Sequence, residues 1–284
     1  MIPGTLRSTA KGPAGNAAKR YVYVQRGGGF RGCPARGGLP RLARHRSGQF
    51  RARLTQIALH RLRLSATDEQ LARVAFVAAP AETLLVSLPR GRGPAPIWGG
   101  IRIGAGEIMT LGAGERVHMR TDGPCRWGSI WLPAAELVRF GSALTGATFA
   151  APSAARWWRP RPAMVRHLRQ LHSAGVNAIE RRSNAFIDGE TAHGLEQQLI
   201  HALVDCLSNA STIEAPPITC KHQDIAIRFE ALLQTQLERA FQTAEICTAL
   251  GVSAQTLRLA CEEQLGVSPT EYIRRRPVPP AQRV

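Results

Sequence analysis

The sequence predicts an α+β chain, an antiparallel β-barrel followed by helices, and three observations lead there. Short apolar segments cut by Gly and Pro recur from about residue 49 to residue 132. After Pro133 the apolar spacing lengthens toward the helical period. Near the C-terminus, short helical runs are separated by Gly251 and Ser253, the residue types that end one helix and begin another.

Composition bounds the class. The 284 residues are 44% apolar and 20% charged, enough to bury one large core or two ordinary ones. No run approaches the roughly 18 to 20 apolar residues of a membrane span. The basic N-terminus is not followed by the apolar stretch of a secretory leader. Six cysteines (33, 125, 206, 220, 247, 261) form no Cys-x-x-Cys pair, so reduced thiols are expected. The expectation is a cytoplasmic protein with no membrane association.

The net charge of +17 is unevenly spread. Residues 1–67 carry 14 of the 37 basic side chains and no acid, the first carboxylate being Asp68. The remainder is nearly balanced. A basic segment adds salt-sensitive affinity for phosphates or acidic lipids; the plainer reading is a mis-called start or an Arg-rich run in a GC-rich gene. Residues 1–45, with Gly27-Gly28-Gly29 and little apolar periodicity, are predicted to be largely disordered. Tyr21-Val22-Tyr23-Val24 could make a brief strand, but nothing near it in sequence pairs with it.

Strand segments are expected near residues 54–64, 74–77, 84–88, 101–103, 108–111, 117–119 and 127–132. Gly99-Gly100, Gly104-Ala105-Gly106 and Gly112-Ala113-Gly114 supply the turns between them. A barrel over 46–132 is the economical arrangement, since closure leaves few exposed edges. From 133 to 210, Met164, Leu168 and Leu171 make one helical stripe. Leu195, Leu199, Ala202, Leu203 and Cys206 make another. Such stripes either cover the barrel or pair with a second copy of the chain, a homodimer. Residues 211–222, with Pro216-Pro217, read as a linker.

The segment 223–276 carries the most specific signal. Ile246 and Leu250 lie four apart on a short helix, Gly251 suits a left-handed turn, and Ser253 is placed to cap the next helix. Leu257 and Cys261 face inward there, while Gln255 and Arg258 share the exposed face. This is the grammar of a helix-turn-helix whose second helix enters the major groove. Ser268-Pro269-Thr270-Glu271 then forms a fresh capping box.

The run Ala244-Glu-Ile-Cys-Thr-Ala-Leu-Gly-Val-Ser-Ala-Gln-Thr-Leu-Arg258, followed by Leu265-Gly-Val-Ser-Pro-Thr-Glu-Tyr-Ile273, resembles the first half of the DNA-binding domain of AraC/XylS-type transcriptional regulators. Gln49 to Leu64 and Trp98 to Leu132 are similar to the cupin-like sensing domain of one branch of that family. The resemblance covers roughly 46–276 and implies a regulator, expected to be an activator although the sequence does not separate activation from repression, with DNA as partner and a small-molecule effector. The family pattern has a second helix-turn-helix, whereas here Arg276 is followed by Pro277, Pro279 and Pro280 in a tail, 277–284. A truncated reader is therefore expected. From Gln223 onward seven basic residues face seven acidic ones, so this reader lacks the positive field of most DNA-binding domains.

The candidate DNA-binding residues are Ser253, Gln255, Thr256 and Arg258. The helix start at Ser253 can meet a phosphate; Gln255 suits an adenine edge and Arg258 a guanine edge, though either could as easily contact the backbone. No effector-binding residue can be named. Enzyme readings are weak: His118 is the one central barrel histidine, with Glu107, Glu115 and Asp122 near it in sequence, and there is no His-x-His pair. Nucleophile-elbow, phosphate-loop and complete dinucleotide motifs are missing from the sequence. No catalytic residue, metal site or cofactor is expected. The alternative to a DNA-binding regulator is a non-catalytic small-molecule-binding or dimerisation module without specific DNA binding.

Overall fold

The computed structural model describes residues 18–25, 41–44, 50–91, 93–181, 189–235 and 242–275. Eleven strands come first: β1 (Ala18–Gln25), β2 (Arg41–Arg44), β3 (Phe50–Ala58), β4 (Arg63–Glu69), β5 (Arg73–Ala78), β6 (Thr83–Pro89), β7 (Ile97–Trp98), β8 (Ile101–Arg102), β9 (Ile108–Leu111), β10 (Arg116–Thr121) and β11 (Cys125–Pro133). After them come α1 (Ala134–Thr145), β12 (Arg156–Arg159), α2 (Pro162–Arg181), α3 (Gly189–Ser208) and β13 (Ser211–Ile213). Helices α4 (Pro217–Thr235), α5 (Thr243–Leu250), α6 (Ala254–Leu265) and α7 (Pro269–Arg275) complete the order.

Among the described residues all strand pairs are antiparallel, and the strands form two sheets. One runs β1-β3-β4-β11-β6-β9-β12-β13 and the other β2-β5-β10-β7-β8. The two-residue period of a strand sends alternate side chains to opposite faces, and β6 shows what this does here. Leu85 joins Val77, Val117, Met119 and Trp127 in the core between the sheets. Leu84, Val86 and Leu88 point the other way and meet α2 and α3 through Leu168, Leu199 and Leu203. A third cluster lies beyond the smaller sheet, where Val74 of β5 packs among side chains of α4, α5, α6 and α7. The layers therefore run α1–α3, large sheet, small sheet, α4–α7.

Four expectations change. Residues 1–45 are not wholly without structure: β1 pairs with β3 along eight positions, from Ala18 opposite Ile57 to Gln25 opposite Phe50. β2 pairs with β5. The partner of Tyr21–Val24 lies some thirty residues away, so local inspection could not find it; the rest of 1–45 and the tail 277–284 lie outside the described residues. The sheet also does not end at 132, because β12 adds to β9 and β13 to β12. The proposed linker 211–222 is instead β13 and the first turns of α4, with Pro217 at the first helical position, where its missing N–H costs nothing.

The fourth change concerns the dimer. Leu168, Leu199, Ala202, Leu203 and Cys206 are each at most 2% exposed, because α2 and α3 lay their apolar stripes on the large sheet of the same chain. That face is not available to a second subunit. No described helix is long and apolar enough to cross a membrane.

Candidate nucleic-acid interface

Helices α5 and α6 are built by local chemistry that the sequence displays. Ile246 and Leu250 bury one side of α5. Gly251 ends it in the left-handed region (φ 67°, ψ 36°), and the N–H of Val252 returns to the carbonyl of Cys247 at 3.1 Å. Ser253 then caps α6: its Oγ accepts the N–H of Thr256 at 3.0 Å. Leu257, Ala260, Cys261 and Leu265 are fully buried against Ile225 and Phe229 of α4. Tyr272 of α7 donates to Glu230 of α4 at 2.7 Å, and Ser268 Oγ accepts the N–H of Glu271 at 3.2 Å. The unit is a packed four-helix cluster in which α6 shows one face to solvent.

That face carries Gln255, Arg258, Leu259 and Glu262, all exposed. They follow the i, i+3, i+4, i+7 spacing of one helix side. Gln255 Oε1 accepts from Arg258 Nε at 3.3 Å and Nη2 at 3.2 Å. Ser253 and Thr256 sit at the start of the helix, their hydroxyls sharing a hydrogen bond at 2.8 Å. Of the four residues named from sequence, Gln255 and Arg258 project outward as a pair, while Ser253 and Thr256 are occupied in capping. Leu259, 42% exposed, and Glu262 were missed. Their signal was available in the same spacing, but Leu259 reads as a core residue when only apolarity is considered.

The carbonyls at the helix C-termini receive arginines from other elements. Arg228 of α4 donates Nη2 to Leu250 O at 2.8 Å. Arg120 of β10 donates Nε to Glu263 O of α6 at 3.3 Å. A cation at the last turn complements the negative end of the helix dipole.

His118 is 1% exposed and faces away from the inter-sheet core, against Phe76 at a ring separation of 4.7 Å. Among the described residues neither ring nitrogen has a hydrogen-bond partner, and burial pushes its pKa down to about 3. Two of the acids near it in sequence are committed elsewhere: Glu107 to Arg159 and to the N–H of Gly104, Asp122 to Arg102 and Arg120. No group of three metal-ligating side chains occurs among the described residues. Burial raises the Cys125, Cys206 and Cys261 thiols to about 12, which keeps them protonated and unreactive at neutral pH. A cavity of about 280 Å³ opens at the β3–β4 turn, with His60, Arg61 and Trp131 among its walls.

No protein-family model matches the chain, and no curated protein matches its sequence. Among solved structures, the chain is similar to the AraC-like transcriptional activator CuxR, with 17% identity over 89% of this chain and 84% of that one and a TM-score of 0.42. It is similar to ToxT from Vibrio cholerae at 13% identity, over 75% and 79% of the two chains, with a TM-score of 0.31. Oxalate decarboxylase OxdC from Bacillus subtilis matches over 41% of this chain and 38% of its own, at 10% identity and a TM-score of 0.23. These are distant likenesses in chain trace.

Proposed function

We propose that this chain is a sequence-specific DNA-binding transcriptional regulator of the AraC type, with α6 as recognition helix and the two-sheet unit as a cupin-like sensing domain. The observation that carries the reading is the outward pair Gln255 and Arg258 on the first two turns of a capped helix. That helix follows its neighbour through a tight glycine turn and is held from behind by a complete apolar core. Its exposed groups match base edges: a guanidinium for guanine O6 and N7, a carboxamide for adenine N6 and N7. The capped start of α6 is suited to a phosphate. The sensing unit accepts a small-molecule effector, for which the cavity at the β3–β4 turn is a candidate entry.

One observation favours the alternative of a binding module without specific DNA contact: the balance of seven basic and seven acidic residues from Gln223 onward. Phosphate affinity that normally accompanies base reading is weak in such a segment. Selection of duplexes from a randomised pool, followed by anisotropy titration at physiological salt, separates the two. The regulator reading expects an enriched site, and a loss of about 1 to 3 kcal/mol in discrimination on Arg258→Ala, the worth of one good base contact. Enrichment of no site, or an enriched site bound equally by Arg258→Ala, rejects it.

A further inference from the structure

The recognition helix is held by the sheet as well as by its own helical cluster. Three parts of the small sheet reach it. Val74 of β5, 1% exposed, is a member of the apolar cluster that α6 completes. The β7–β8 turn, Gly99-Gly100, comes into close contact with the ends of side chains on α4 and α6. A Cβ on Gly99 would lie 2.8 Å from Gln223 Oε1, and one on Gly100 2.6 Å from Gln264 Nε2. Both glycines have positive φ (54° and 83°), as a two-residue hairpin turn of this hand demands. The third part is Arg120, whose Nε reaches Glu263 O.

Arg120 is itself held. Its Nη1 pairs with Asp122, and Asp122 pairs with Arg102 of β8 at 2.7 Å. On the far side, the Glu263 carboxylate accepts Thr219 Oγ1 of α4 at 2.7 Å and pairs with His222 Nδ1. A continuous chain of polar contacts therefore runs from β8 through β10 to α6 and α4. The carbonyl it ends on belongs to the last turn of α6, where no intrahelical donor is available.

Taking the DNA reading above as premise, we propose that Arg120 is a positioning residue for it: the sheet fixes the C-terminal turn of the recognition helix through this side chain, and so sets how Gln255 and Arg258 are presented. A displacement of β10 or of the β7–β8 turn is passed to the reader by this contact. The sensing sheet and the DNA-reading helix are thereby one mechanical unit.

The test compares full-length wild type with Arg120→Ala, Arg120→Lys and Asp122→Asn. Amide hydrogen exchange is followed across α6 and α7, and anisotropy across the duplex selected by wild type. Arg120→Ala should speed exchange in the last turn of α6 by about tenfold and weaken the selected duplex by about the same factor, as for one hydrogen bond from a charged donor. The selected sequence itself should not change. Arg120→Lys, which keeps a cation near the carbonyl, should restore most of both, and Asp122→Asn should fall between. Unchanged exchange in Arg120→Ala overturns the contact. Faster exchange with unchanged duplex affinity, or with a change in the preferred sequence, overturns the positioning role. A wild-type chain that selects no duplex removes the DNA reading and this role with it, whatever exchange shows.

Discussion

Arg258 and Glu262 stand one turn apart on the solvent side of α6, with Nη1 3.2 Å from Oε1. The same guanidinium also contacts Gln255, so the two candidate base-reading groups and one carboxylate form a single exposed string. Both charged partners are about half exposed, and an i, i+4 pair of this kind contributes only about 0.3 to 0.5 kcal/mol. Duplex DNA can break it at little cost. If α6 is the DNA-reading helix proposed above, this carboxylate on its exposed face repels the phosphates of a duplex.

The expected outcome for Glu262→Gln is therefore tighter duplex binding by a few-fold, with a shallower gain at high salt as screening removes the repulsion. Folding should be nearly unaffected. Salt-dependent anisotropy checks it, and weaker binding by Glu262→Gln would indicate that this carboxylate accepts a hydrogen bond from a base instead.

The helix pair was legible in the sequence because its determinants are local. Gly251, Ser253 and the spacing of Leu257 and Cys261 act within one or two turns, so reading them needs no knowledge of distant partners. Most of the strands from β6 to β11 were legible for a related reason, since Gly- and Pro-bounded apolar runs mark strands wherever they pair; the run 54–64, read as one segment, instead holds the end of β3, a turn and the start of β4, with no Gly or Pro to mark the break. What failed was long-range. Trp157 pairs with Met109 and with Ile213, and Tyr21 with Leu54, so β12, β13 and β1 exist only because of remote neighbours. The stripes on α2 and α3 were visible, but periodicity states that a face is buried without stating against what. Arg120 and Glu263 are 143 residues apart, and neither is unusual in its own segment.

Two buried histidines give the fold an acid sensitivity. His118 and His172 are 1% and 0% exposed, and desolvation lowers their pKa values to about 3 and about 4. His172 spends one nitrogen on Ser65 O at 3.0 Å, which offsets part of that burial. In the unfolded chain both rings bind a proton near pH 6.5. Between that value and the folded pKa the unfolded state holds more protons, so stability is complete above about pH 6.5 and declines as pH falls. At pH 5 the loss is roughly 2 kcal/mol per histidine. His118→Leu should remove one such share: its urea midpoint should drop less between pH 7.5 and 5 than that of wild type. Parallel pH profiles for the two proteins would show that His118 is solvated in the folded state.

β1 is the edge strand of the large sheet, and behind it lies β3. If residues 1–25 were merely an appended basic tail, removing them would change salt-dependent adhesion and nothing else. The pairing gives a different expectation. Eight consecutive positions of β3, Phe50 to Ile57, face β1 across an antiparallel ladder, and removing β1 leaves the outward N–H and C=O groups of that ladder without strand partners. Water can satisfy these groups, so the direct loss of folding free energy should be modest. The larger consequence is association. A nine-residue strand with unpaired backbone groups is a template for a second chain. β3 has Arg51 and Arg53 but continues into Leu54, Thr55, Gln56 and Ile57 without charge. The chain lacking residues 1–25 should therefore show a small decrease in thermal midpoint together with concentration-dependent oligomers in sedimentation velocity. Placing Lys at Thr55 or Gln56 in that shortened chain should reduce the oligomers if edge pairing causes them. A shortened chain that stays monomeric at tens of micromolar, with an unchanged midpoint, would show that β1 does not protect this edge in solution.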